Sequence, residues 1–141
     1  MQAGCALSPG KPLRESNMLP TQVLVIDDEP SVKELMCELV RMKDAHPTAF
    51  ETADAALIYL EKHASDTSLV VTDVRMPGLL DGYDLARLVF ARWPELPVII
   101  TSGYTTVNIE NLPANVRFLP KPWSANVFME TLDLLLPHPA S

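Results

Sequence analysis

A doubly wound α/β fold around a five-stranded parallel sheet is what this sequence predicts, and three observations lead there. Strand-like and helix-like segments alternate along the chain. The strand segments are near-continuous Val, Ile and Leu runs, as befits strands covered on both faces. Turn and cap residues mark most junctions between them. Right-handed crossovers then give the flavodoxin-like order 2-1-3-4-5.

The elements follow in order. In "QVLVIDDEP" the apolar run Val23 to Ile26 ends on Asp27, Asp28, Glu29 and Pro30. "SVKELMCELVRMK" places Val32, Leu35, Met36, Leu39 and Val40 at helical spacing, with Cys37 off that stripe. A weaker strand is expected around "TAFET". The helix "DAALIYLEKH" follows, with Leu57, Ile58 and Leu60 as its apolar positions and His63 at its end. "SLVVTD" is the third strand, closed by a turn at Pro77 and Gly78. "DGYDLARLVFARW" reads as a helix with Leu85, Leu88 and Val89 on one face, stopped by Pro94. "PVIITSGY" and "VRFLPKP" supply the last two strands. In "SANVFMETLDLLL", Ser124 is the expected N-cap and Val127, Phe128, Leu132 and Leu135 the inward face, with Pro137 ending the helix. Between strands four and five, "GYTTVNIENLPANV" is poor in helix formers and holds Pro113 and three Asn, which predicts a shortened fourth helix in a mobile loop.

At 141 residues, 48% hydrophobic and 21% charged, the chain reads as one globular domain over 21–137. Residues 1–20 are polar and turn-rich without an apolar core segment, so they read as a disordered tail rather than a signal peptide, with 138–141 a second short tail. A net charge of −7 argues against a nucleic-acid footprint, and no apolar run is long enough to cross a bilayer. Cys5 and Cys37 form no disulfide framework, which suits a reducing cytoplasm. His46, His63 and His138 are scattered, so no soft-ligand metal site is expected.

In a sheet of this kind the working crevice lies beyond the carboxyl ends of the strands. Those ends deliver Asp27 and Asp28, then Asp73, then Thr101 and Ser102, then Lys121. Three carboxylates in one pocket would repel each other, and a hard divalent cation such as Mg²⁺ resolves the conflict. A carboxylate beside a metal, a hydroxyl and an ammonium suits phosphoryl transfer, with the carboxylate as nucleophile. Each residue alone also has a plainer reading. Asp27 and Asp28 can be a helix N-cap pair, Thr101 an ordinary strand residue, Lys121 a solvated charge and Phe118 simple core.

"VLVIDDEP", "VVTDVRMPG", "DGYDLA", "PVIITSGY" and "FLPKPW" resemble, in order, the signature blocks of the response regulator receiver domain, over about residues 22–136. The resemblance implies that Asp73 accepts a phosphoryl group from a histidine of a sensor kinase or phosphotransfer protein. It implies Asp28 as a direct Mg²⁺ ligand, Asp27 as a water-mediated one, and the Arg75 backbone carbonyl as a further one. Lys121 and Thr101 would bind the phosphoryl oxygens, Phe118 would turn inward as Thr101 shifts, and the Lys121–Pro122 bond would be cis. The implied role is a signalling switch read by a downstream effector protein, not an enzyme beyond its own phosphorylation and dephosphorylation. Dimerisation is left in doubt by the meagre fourth helix. The connection "MPGLLDG" is one residue longer than the commonest pattern. With Gly103 and Arg75 at near-site positions, slow self-dephosphorylation is expected.

Two other classes fit less well. A Mg²⁺-dependent phosphohydrolase with an aspartyl-phosphate intermediate needs an Asp two residues after the nucleophile, where this chain has Arg75. An electron-transfer flavoprotein needs a glycine- and hydroxyl-rich phosphate loop after the first strand, where "DDEP" would repel a phosphate.

Overall fold

A computed structural model describes residues 21–103 and 112–137. The elements are β1 (Thr21–Ile26), α1 (Pro30–Arg41), β2 (Ala45–Phe50), α2 (Ala53–His63), β3 (Thr67–Asp73), α3 (Gly82–Arg92), β4 (Val98–Ser102), β5 (Val116–Pro120) and α4 (Ala125–Leu135), with a 3-10 turn at Ala64–Asp66. All neighbouring strands are parallel, in the order β2-β1-β3-β4-β5. The expected topology is therefore found. The expected fourth helix and both tails fall on residues outside those described.

Alternation along each strand splits the core in two. Val23, Val25, Leu69, Val71 and Ile99 face α1 and α4, where Met36, Phe128 and Leu132 meet them. Leu24, Ile26, Val70 and Ile100 face α2 and α3, against Leu60, Leu85 and Val89. These side chains are fully buried, and each contributes about 1.5–3 kcal/mol of transfer free energy.

Helix ends follow the sequence signals. Pro30 opens α1, Thr52 caps α2 by accepting from the Ala55 N–H, and Ser124 caps α4 by accepting from the Val127 N–H. Asp81 and Asp84 form a reciprocal capping box on α3. α3 ends at Arg92, before Pro94.

Four helix-face assignments need correction. Cys37 is buried, whereas Leu35 is 46% exposed. α1 lies against β2 and α4 as well as β1, which moves its buried arc to Met36, Cys37, Leu39 and Val40. Ile58 is 64% exposed because α2 packs through Ala53, Ala56 and Leu60, small residues that bring the helix close to the sheet. Val127 is exposed, since α4 buries Phe128, Leu132 and, just past its end, Leu136, a run of i, i+4, i+8 that places Val127 to one side. The second strand begins at Ala45, earlier than its residue types suggest, and accommodates Pro47 because β2 is an edge strand paired only with β1.

Candidate phosphoryl-transfer site

The carboxyl ends of β1, β3, β4 and β5 meet at one edge of the sheet. Asp27 follows β1 directly and is fully buried. Its N–H donates to the Phe50 carbonyl at 3.1 Å, and its Oδ1 accepts from the Glu29 N–H at 2.9 Å. Its Oδ2 is buried and has no hydrogen-bond partner among the described residues. Glu29 occupies the N-cap position of α1 and makes no side-chain cap bond. Asp27 and Asp28 are thus free of the capping duty that offered the plainer reading.

Asp73 ends β3 half-buried. Its Oδ1 accepts from the Val74 N–H at 2.7 Å, and its carbonyl accepts from the Thr72 hydroxyl at 2.8 Å. Thr101 pairs with Asp73 in the β3–β4 register; it is fully buried, and its hydroxyl has no partner among the described residues. Lys121 leaves β5 with its backbone tied to the Ser102 carbonyl at 2.8 Å. Its Nζ lies 3.3 Å from Asp73 Oδ2 and 3.6 Å from Asp27 Oδ2. The bond to Pro122 is cis.

Asp27, Asp28 and Asp73 each bring a carboxylate oxygen within 4.8 Å of the other two. At an effective dielectric near 20, each such pair repels by about 3.5 kcal/mol. Lys121 offsets part of this and leaves a net negative cluster. Burial pushes the Asp27 carboxyl above its ordinary range; Asp73 and Asp28 push the same way, while the Glu29 N–H and Lys121 oppose. An orphaned buried carboxylate oxygen inside an all-oxygen cluster is what a hard divalent cation would satisfy, so these residues could hold a metal.

Arg75 is exposed two residues past Asp73, and Phe118 is half-buried on β5 beside Ile100, on the α2–α3 side of the sheet. Two residues at the site escaped the sequence reading. A Cβ on Gly82 would overlap the Asp73 carbonyl oxygen, and the Gly82 N–H donates to the Val74 carbonyl at 2.8 Å. Asp54, from α2, accepts backbone bonds from the loop after Asp73. The "DG" pair at residues 81–82 hints at a turn, but no residue spacing reveals either long-range contact.

Fold and site together define a receiver module of two-component signalling. The family model described as the response regulator receiver domain matches residues 23–133, and the chain belongs to that family. Among its relatives is the response regulator protein FleR of Pseudomonas aeruginosa, 32% identical over 123 residues, which cover 85% of this chain and 25% of FleR. The sensor kinase CckA of Brucella abortus is 33% identical over 119 residues, covering 81% of this chain and 12% of CckA. The chain therefore spans a quarter or less of these curated relatives. The solved receiver domain of NtrX from Brucella abortus superposes with a TM-score of 0.70 at 29% identity, over 81% of this chain and 97% of that one. The phosphohydrolase reading is not favoured by this company.

Proposed function

We propose that Asp73 is the phosphoacceptor, taking a phosphoryl group from a phosphohistidine on a sensor kinase or phosphotransfer protein. One observation carries the reading: Asp27, Asp28, Asp73 and Lys121, far apart in sequence, converge at one sheet edge. A carboxylate oxygen of Asp73 attacks phosphorus, the phosphorus–nitrogen bond to the donor imidazole breaks, and the ring nitrogen keeps the electron pair. Lys121, already against Asp73 Oδ2, meets the negative charge on the transferred oxygens. The uncommitted Thr101 hydroxyl is placed to donate to one of them. Asp27, Asp28 and Asp73, with the Arg75 carbonyl, would hold Mg²⁺, which when bound neutralises charge on the phosphoryl oxygens.

Phosphorylation then biases an equilibrium between two arrangements, with Thr101 and Phe118 as the moving parts, and a downstream effector reads the altered surface. An apolar groove of about 510 Å³, lined by Val32, Leu35, Gly103, Lys121, Pro122 and Trp123, opens beside the site and offers a protein donor its footing. We place the domain, residues 21–137, in the cytoplasm, which suits the reduced, buried Cys37. No helix among the described residues is long and apolar enough to cross a membrane.

Incubation with acetyl phosphate, with and without Mg²⁺, followed by intact mass, tests the proposal. A Mg²⁺-dependent gain of one phosphoryl group, absent from Asp73→Asn, is expected. Equal labelling of Asp73→Asn would remove the assignment.

A further inference from the structure

The loop from Val74 to Asp81 carries Arg75 and has little apolar anchorage. Arg75, Pro77 and Gly78 are exposed, and Leu79 is 92% exposed, so apolar burial is confined to Val74 and, in part, Met76 and Leu80. At its far end the Gly82 N–H closes on the Val74 carbonyl. Its tip is held from outside the loop. Asp54, in the first turn of α2, accepts the Leu79 N–H at 3.1 Å and the Leu80 N–H at 3.1 Å through Oδ1, with Oδ2 3.3 Å from the same Leu79 nitrogen.

An acidic residue in a first helical turn ordinarily serves the free N–H groups of its own helix. Here Thr52 caps α2 by accepting from Ala55, and the Asp54 carboxylate reaches amides 25 and 26 residues further on. Gly78 makes the approach possible. Its φ is +111°, and a Cβ there would stand 2.5 Å from Asp54 Oδ1. Carboxylate, glycine and paired amides form one fitted contact between α2 and the loop that follows the phosphoacceptor.

We propose that Asp54 is a positioning residue: by anchoring the Leu79 and Leu80 amides it fixes the loop that presents the Arg75 carbonyl to the Asp27–Asp28–Asp73 cluster. This rests on the reading of that cluster as a Mg²⁺ site. Groups that orient metal ligands without touching the ion commonly change affinity by about 10–100-fold when removed. A loop tether one step further away belongs at the lower end of that range.

The test titrates Mg²⁺ into the full chain by tryptophan fluorescence, to which Trp123 beside Lys121 contributes, and measures amide exchange in the metal-free protein. Asp54→Ala is expected to weaken Mg²⁺ binding by about tenfold and to speed exchange at Leu79 and Leu80. Asp54→Asn, which keeps one acceptor oxygen, should recover part of both. Thr52→Ala removes the capping hydroxyl of α2 but keeps the Cβ that lies beside Gly78 and leaves the Asp54 bonds to the loop in place. It should lower the melting temperature yet leave Mg²⁺ affinity and Leu79 exchange alone. Unchanged affinity in Asp54→Ala, against a wild type that binds, would overturn the proposal. An equal loss in Thr52→Ala would also do so, by tracing the effect to helix stability. A wild-type chain that does not bind Mg²⁺ would instead strike the reading of the cluster itself.

Discussion

Replacing Asp27 with Asn should make the metal-free protein more stable while weakening its hold on Mg²⁺. Asp27 lies within 4.8 Å of both Asp28 and Asp73, and each pair at that separation repels by about 3.5 kcal/mol at an effective dielectric near 20. Lys121, 3.6 Å away, returns about 4.6 kcal/mol on the same scale. Asp28 is exposed, so solvent screens its share. Burial of the charge disfavours Asp27 further. The Asn side chain keeps the bond from the Glu29 N–H, but a neutral acceptor is roughly half as strong as a charged one. The balance is a gain of about 1–2 kcal/mol, or about 3–8 °C in melting temperature for a domain of this size.

Urea or thermal denaturation in EDTA reads this directly. Because the folded-state pKa of Asp27 is raised, its contribution is most favourable below the ordinary carboxylate value and is lost as pH rises through the raised one. The advantage of Asp27→Asn should therefore be largest at neutral pH and shrink on mild acidification. Mg²⁺ should narrow the gap: at ten times its dissociation constant the wild type gains about 1.4 kcal/mol by mass action, and the variant gains less. An Asn variant that is less stable in EDTA at neutral pH, or equally stabilised by Mg²⁺, would refute the electrostatic account.

Gly82→Ala should cost about 3 kcal/mol or more, because its Cβ would overlap the Asp73 carbonyl; a urea midpoint close to wild type would show that the loop has room to yield. Lys121→Met strips Asp73 and Asp27 of their cation at 3.3 and 3.6 Å. It should destabilise the metal-free protein by about 2 kcal/mol after screening, with Mg²⁺ restoring much of the loss in a thermal melt. Thr101→Ala should still be phosphorylated, since the hydroxyl is not the nucleophile, but should lose the phosphorylation-dependent shift of Phe118 in NMR spectra. With Gly103 lacking a side chain and Arg75 carrying donors only, neither position offers an acceptor to orient an attacking water. The aspartyl phosphate should persist for minutes or longer, and decay within seconds in labelled protein with Mg²⁺ would contradict this.

The site could be read from sequence for a geometric reason. A residue at the end of a parallel strand, or one position to either side of it, lies at the carboxyl edge whatever the neighbouring helices do. Asp27, Asp73, Thr101 and Lys121 needed only the strand boundaries and the sheet order to be placed together. Helix faces carry no such guarantee. Leu35, Ile58 and Val127 are apolar residues at helical spacing, yet all three are exposed, while Cys37 is buried. Periodicity shows that a helix has an inner face but not where its edges fall; those depend on which strands and helices lie against it. Asp54 and Gly82 were hidden for a third reason. Their partners are backbone atoms, the amides of Leu79 and Leu80 and the carbonyl of Asp73, and backbone atoms leave no mark in residue type.

These three kinds of legibility divide the working parts of the molecule. The charged groups proposed to do chemistry sit on the rigid strand ends, where the two-sided core fixes them, and their mutual repulsion is tolerated because that core does not yield. The Arg75 carbonyl comes instead from a loop with little apolar anchorage, whose tip Asp54 holds and whose end the Gly82 N–H closes. If the cluster gathers its cation as proposed, its affinity depends on the soft part of the site as well as on the hard part. Substitutions at Asp54 or at the exposed Leu79 should then tune Mg²⁺ binding with little change in global stability, whereas substitutions at Asp27 or Lys121 must change both together.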